Sequence, residues 1–214
     1  MSSRHYSPFD TLVIGMDNAL RTVFGTPKVT ERKNPATEIP DNELTQEQQK
    51  HVARLMRINH TGEVCAQALY QGQAVTAKLP DVRDSMERAA MEENDHLDWC
   101  ENRLKELDDR KSLLNPLWYA GSFVIGATAG IAGDKWSLGF VAETEKQVTA
   151  HLDDHLSKLP TQDEKSRAIL NQMREDELHH ATTALEAGGA ELPFPIKTAM
   201  KLTSKVMTKT VYYL

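Results

Sequence analysis

The sequence is poor in cysteine: only Cys65 and Cys100, 35 residues apart, occur in 214 residues. That excludes a CxxC redox or metal motif and a disulfide framework, and makes a reducing compartment the simplest setting. Positive charge is also scarce. Lys and Arg number 25 against 31 Asp and Glu, a formal net charge of −6, and without a basic block the electrostatic footprint of nucleic-acid binding is missing. No G-x-G-x-x-G stretch marks a dinucleotide site. No segment of useful length alternates with strand periodicity, so the expected class is all-α. The chain does not open with a basic region followed by an unbroken apolar block, and Asp10 and Asp17 oppose a mitochondrial transit peptide. Its first residues are therefore expected to belong to the working protein. What is present is balanced: 40% hydrophobic and 26% charged residues suit one globular domain with a core, and exclude disorder.

Residues 7–25 read as a short amphipathic helix, with Ser7 as N-cap, Pro8 in the first turn, and Phe9, Leu12, Val13, Met16, Leu20, Val23 and Phe24 at helical spacing before Gly25. Residues 26–43 carry three prolines and mixed charges, the composition of an exposed linker. A long helix is expected from Leu44 to Lys78, opened by Thr45 and Gln48 in capping-box spacing. A second follows Pro80 to about Asp109, a third runs from about Lys135 to Leu159, and a fourth opens with Thr161 and Glu164 and stops at Gly188 and Gly189. The expected organisation is an N-terminal helix and linker over 1–43, a bundle over 44–190 and a basic amphipathic tail over 191–214.

Each long helix carries an apolar stripe that includes an acid. The first runs Val52, Met56, Asn59, Glu63, Ala66, Tyr70; the second passes through Met86, Ala89, Glu93, His96, Cys100 and Leu104. The third has Leu138, Val141, Glu145, Val148 and Leu152, and the fourth Leu170, Met173, Glu177, His180, Ala181 and Ala184. Burying an unpaired carboxylate costs several kcal/mol, so four in one core need compensating cations. No Lys or Arg stands in these stripes. A metal pair resolves the problem: Glu63, then Glu93-x-x-His96, then Glu145, then Glu177-x-x-His180. Residues i and i+3 share a helix face, so each Glu-x-x-His presents an oxygen and a nitrogen together. Glu63 and Glu93 are 30 residues apart and Glu145 and Glu177 are 32 apart, which indicates two similar hairpins facing each other. This order is that of the ferritin-like di-iron or di-manganese carboxylate four-helix bundle. Two histidines and four carboxylates favour iron over zinc, which prefers closed tetrahedral sites with nitrogen and sulfur ligands. Manganese is compatible with the same ligands.

Periodicity also sorts the neighbours. Glu143 points nearly opposite Glu145, and Asp176 with His179 lies on a polar face continued by Gln172 and Thr183, assigned to solvent. His60 and His151 flank the site faces, either as hydrogen-bond partners of ligands or as ordinary histidines. Cys65 and Cys100 read as small core residues.

The stretches RLMRINHTGEVCAQALYQGQA, MEENDHLDWCENRLKEL, AETEKQVTAHLDDHL and MREDELHHATTALEAGG resemble the demethoxyubiquinone hydroxylase family of ubiquinone biosynthesis, most of all its bacterial branch. The likeness covers nearly the whole chain, down to NHTGE and the tail TSKVMT. It implies a ferritin-like bundle whose two iron ions use O₂ to add a hydroxyl to the ring of a demethoxylated polyprenyl quinol. By motif the ligands are Glu63, Glu93, His96, Glu145, Glu177 and His180, the six that periodicity selects. The reductant is either NADH or the quinol. The resemblance also implies a peripheral site on the cytoplasmic side of the bacterial inner membrane, with lipid, other ubiquinone-biosynthesis proteins or further copies of the chain as partners.

An apolar substrate needs an apolar approach. Residues 112–133 contain no charge in 22 positions, long enough to span a bilayer. A single crossing there would, however, put the two halves of the metal site on opposite sides of the membrane, so the segment is expected on the protein or at the interface. The alternative for it is a buried core connection. In the tail, Lys197, Lys201, Lys205 and Lys209 recur every fourth residue against Glu191, as in an interfacial helix over anionic lipid or in a solvated charged face. The alternative function is a ferritin-type iron-storage bundle with the same ligands. A rubrerythrin-like peroxidase would need cysteine pairs that the chain lacks.

Overall fold

The computed structural model describes residues 7–30 and 32–214. Among these lie seven helices and no strand: α1 (Pro8–Phe24), α2 (Gln46–Thr76), α3 (Pro80–Glu106), α4 (Asn115–Ala132), α5 (Asp134–Lys158), α6 (Glu164–Glu186) and α7 (Phe194–Val211). The all-α class follows from the sequence periods, and the ends are set by local chemistry. Ser7 and Thr45 each close a reciprocal capping box, with Asp10 and Gln48 respectively, satisfying backbone N–H groups that an open helix end leaves unpaired. At α6 the cap differs from the expected Thr161. Asp163 takes the position, accepting from Ser166 N at 3.1 Å and from Arg103 Nη2 at 2.9 Å. A carboxylate that caps and also neutralises a buried guanidinium outcompetes a hydroxyl left in the preceding turn.

The hairpins α2–α3 and α5–α6 form the four-helix bundle. One core cluster at its closed end joins Val52, Met56, Trp99, Cys100, Leu104, Leu152, Ile169, Leu170 and Met173. A second, at the other end, joins Tyr70, Met86, Leu138, Val141 and Ala184. The buried acids lie along the helices between them.

The uncharged crossover is largely α4, laid along α2. A Cβ added at Gly126 would stand 2.3 Å from Leu69 O, and one at Gly72 2.3 Å from Phe123 O, so the two backbones touch and only glycine fits. The other face exposes Leu117, Val124, Ile125 and Ile131. No helix among the described residues is long and apolar enough to cross a membrane.

The chain ahead of α2 is mostly exposed, as its composition indicates, but it is pinned rather than free. Ala36 is buried in the first core cluster, Asn42 Nδ2 donates to Gln162 O, and Asp41 pairs with Lys165 at 2.7 Å. Helix α1 attaches through Val23 to Val64, Ala68, Leu97 and Tyr119, while Phe9, Val13, Met16, Leu20 and Phe24 stay exposed; the Leu12 side chain lies outside the described residues. Helix α7 is fastened at its end by buried Val211 and exposes Lys201, Lys205 and Lys209.

Candidate metal centre

The six acids and histidines singled out by periodicity are all buried. Glu63 comes from α2, Glu93 and His96 from α3, Glu145 from α5, and Glu177 and His180 from α6. His96 Nδ1 stands 3.0 Å from Glu93 Oε2, 3.2 Å from Glu177 Oε1 and 3.7 Å from Glu63 Oε2. His180 Nδ1 stands 3.2 Å from Glu93 Oε1 and 3.2 Å from Glu177 Oε2. Glu93 and Glu177 thus lie between the histidines, each with one oxygen toward either ring. Glu63 extends the cluster on the His96 side, and ligand atoms of Glu63, Glu93, His96 and Glu177 fall within 4.8 Å of one another. Glu145 differs: its Oε1 accepts from the Tyr70 hydroxyl.

The electrostatics show a cluster short of positive charge. Burial, reinforced by the charge of Glu93, pushes Glu63 well above the ordinary carboxylate range, and burial with the charge of Glu177 does the same to Glu145. Against the opposing effect of burial, the charge of Glu93 raises His96 well above the usual histidine range. Contact with Glu177, Glu92 and Glu93 raises His180 in the same way. Glu93 goes the other way: against the opposing effect of burial, the charge of His96 and the two neighbouring histidine rings hold it well below the ordinary carboxylate range, as befits an anionic site that attracts cations. Glu93 Oε1 adds a second sign. It is fully buried and receives no well-directed hydrogen bond although His180 is near, which leaves a lone pair for another acceptor of electrons. The carboxylate oxygens of Glu63, Glu93 and Glu177 and two imidazole nitrogens converge as hard donors that fit divalent ions, with Glu145 turned to Tyr70.

The outer ring nitrogens are held as well. His96 Nε2 donates to Asp176 Oδ2 at 2.8 Å and His180 Nε2 donates to Glu92 Oε2 at 2.6 Å. These bonds fix the tautomer and leave Nδ1 as the inward nitrogen. Each carboxylate comes from the opposite hairpin. Asp176 is therefore not on a solvent face. Gln172 donates to it at 3.0 Å, and the polar face through Gln172 looks onto α3 and the N-terminal chain. The sequence held a signal for both residues: in Glu92-Glu93-x-x-His96 and Asp176-Glu177-x-x-His180 an acid precedes the glutamate of the motif.

The remaining sequence candidates stand apart. His179 is exposed. Glu143 accepts from Gln147 and lies 3.7 Å from Lys197. His60 is buried against Asn115, and burial pushes its pKa down to about 3. His151 packs its ring 4.0 Å from that of His155, whose Nδ1 meets Asn59 at 2.8 Å. Cys100 is buried beside Met173; the half-buried Cys65 has its thiol pushed up to about 11 by burial.

A cavity of about 260 Å³ opens beside the His180 end of the cluster, lined by Tyr70, Met86, Ala89, Val141 and Ala184 with Glu92, His179 and His180 at its polar side. Between α2 and α5, Ala66, Leu69, Phe140 and Val141 lie around Glu145.

The family model of ubiquinone biosynthesis protein COQ7 matches residues 50–211. Among curated relatives, the 3-demethoxyubiquinol 3-hydroxylase of Acinetobacter baumannii is 62% identical over 99% of this chain and 100% of its own length. The protein of that name from Azotobacter vinelandii is 61% identical over 99% of this chain and 98% of its own. That from Nitrosococcus oceani is 58% identical over the full length of both.

Proposed function

Because the chain belongs to the COQ7 family of ubiquinone biosynthesis proteins, we propose that it is a monooxygenase that hydroxylates the ring of a demethoxylated polyprenyl quinol. The observation that carries this reading is the placement of Glu93 and Glu177 between His96 Nδ1 and His180 Nδ1. In the reaction a ring C–H becomes C–OH with one atom of O₂, while the other leaves as water after taking up two electrons and two protons, either from NADH and one solvent proton or from the quinol. Glu63, Glu93, His96, Glu145, Glu177 and His180 would hold two iron ions, which when bound supply the reductive activation of O₂. The chain supplies the rest. Glu92 and Asp176 keep the inward nitrogens of both histidines unprotonated once metal replaces the proton. The bundle buries all six residues, and the cavity at Tyr70, Ala89 and Ala184 offers room for an aromatic ring beside His180. Storage of iron draws no support from the names of the relatives.

The approach of an isoprenoid substrate fits a lipid surface. Exposed Phe9, Val13, Met16 and Leu20 on α1, Leu117, Val124, Ile125 and Ile131 on α4, and Phe194, Leu202 and Val206 on α7, with three exposed lysines on α7, suit a monotopic protein on anionic lipid. Our reading places it on the cytoplasmic side of a bacterial inner membrane. The deciding experiment is anaerobic purification with metal analysis, then addition of O₂ and a short-chain demethoxyquinol, with and without NADH. Two irons per chain and a hydroxylated ring are expected. Mineralised iron without hydroxylated product overturns the proposal.

A further inference from the structure

Arg32 precedes the bundle in sequence but belongs to its hydrogen-bond network in space. Asp95 on α3, whose side chain is fully buried, accepts from Thr30 N at 2.7 Å, from Thr30 Oγ1 at 2.6 Å and from Arg32 Nε at 2.8 Å. The same guanidinium donates through Nη1 to Asp176 Oδ2 at 2.8 Å and lies over the Trp99 ring at 5.1 Å. Trp99 in turn packs 5.3 Å from the His96 ring. Asp176 Oδ2 is also the atom to which His96 Nε2 donates. One carboxylate oxygen therefore receives both Arg32 and His96.

The two histidines are not supported alike. Asp176 is 15% exposed and clamped by Arg32, whereas Glu92, which holds His180, is 44% exposed. A carboxylate orients an imidazole only as well as it is itself oriented. A planar guanidinium bonded to two carboxylates at once fixes both, which a point charge does not. Asp95 supplies the reason Arg32 stays in place, since a buried carboxylate stripped of its cation is strongly destabilising.

We propose that Arg32 is a positioning residue for His96: through Asp176 it sets the ring that presents Nδ1 to the metal site, so a residue ahead of the bundle bears more strongly on one of the two metal positions than on the other. This rests on the reading that the six buried residues hold a metal pair. The test is an anaerobic titration of the full-length, metal-free protein with Co²⁺, followed by its visible d–d absorption. Wild type takes up two ions. In Arg32→Gln one ion binds nearly as in wild type, and the other is weakened by roughly 10- to 100-fold, the usual effect of losing an outer partner of a ligand, with its absorption band altered. Arg32→Lys, which restores charge without the fork, recovers part of the loss. Equal weakening of both ions, or unchanged binding of both, overturns the proposal. If Arg32→Gln does not fold, Arg32→Lys decides by the same criterion: greater loss at one ion supports it, equal loss at both or loss at neither overturns it. A wild-type protein that binds no Co²⁺ overturns the metal reading and this proposal with it.

Discussion

The two Glu-x-x-His halves of the cluster are near copies in sequence and unlike in surroundings. His96 is fully buried, and its outer nitrogen meets a carboxylate clamped by Arg32 and backed by Trp99. His180 is 8% exposed, is held by the half-exposed Glu92, and forms part of the wall of the 260 Å³ cavity. Equal residue types thus meet unequal access: one half is sealed, and the other borders the cavity.

That contrast can be broken at several levels. The largest effect is expected where the halves join. Glu177→Ala should abolish both metal binding and hydroxylation, whereas Glu143→Ala should leave both intact; metal analysis and product assay of the two variants decide, and the reverse outcome would show that the helix faces are misassigned. Next come the carboxylates behind the rings. Asp176→Ala and Glu92→Ala should each cost roughly 10- to 100-fold in metal affinity, with Asp176→Ala at the upper end because its carboxylate is the more buried; equal losses would remove the distinction between a sealed and an open half.

A third test concerns a histidine outside the cluster. Burial lowers the His60 pKa to about 3 from 6.5, so the unfolded chain binds the extra proton. The stability His60 contributes is complete above about pH 6.5 and is lost as pH falls toward 3. At pH 5 the loss is about 2 kcal/mol, from 1.36 kcal/mol per unit. Urea denaturation of wild type and His60→Gln at pH 7 and pH 5 should show a shallower pH dependence in the variant, and parallel curves would refute the assignment. The smallest effect concerns access. Enlarging Ala89 or Ala184 to Leu should raise KM for the quinol by about tenfold, about 1.4 kcal/mol, with the metal content unchanged. A fall in bound metal instead would mean that the cavity wall supports the ligands.

The uncharged crossover offers a parallel contrast on one helix. Gly126 and Gly72 let α4 lie against α2 backbone to backbone, while Val124 and Ile125, the two residues before Gly126, face outward. A reading by composition sees one uncharged run and cannot separate these faces, because what selects the buried one is the close approach of a second helix and not the hydrophobicity of the first. Asp176 shows the same limit in the polar direction. Its face is polar, as an exposed face is, but that polarity serves His96, Arg32 and Gln172.

The amino-acid sequence by itself did not mark α4 as a helix or set the ends of α7. It determined the ends of α1, α2, α3, α5 and α6 to within about one turn, apart from the Asp163 cap, and it determined that Glu63, Glu93, His96, Glu145, Glu177 and His180 are buried. Those features depend on neighbours three or four residues away, and helical periodicity brings such neighbours together in any context. Tertiary structure alone decided that Glu93 and Glu177 lie between the histidines, that Asp176 and Glu92 cross to the opposite hairpin, and that Arg32 reaches α3 from ahead of the bundle. Those contacts join residues between 63 and 144 positions apart, where no local period operates and only packing of the hairpins sets the distance.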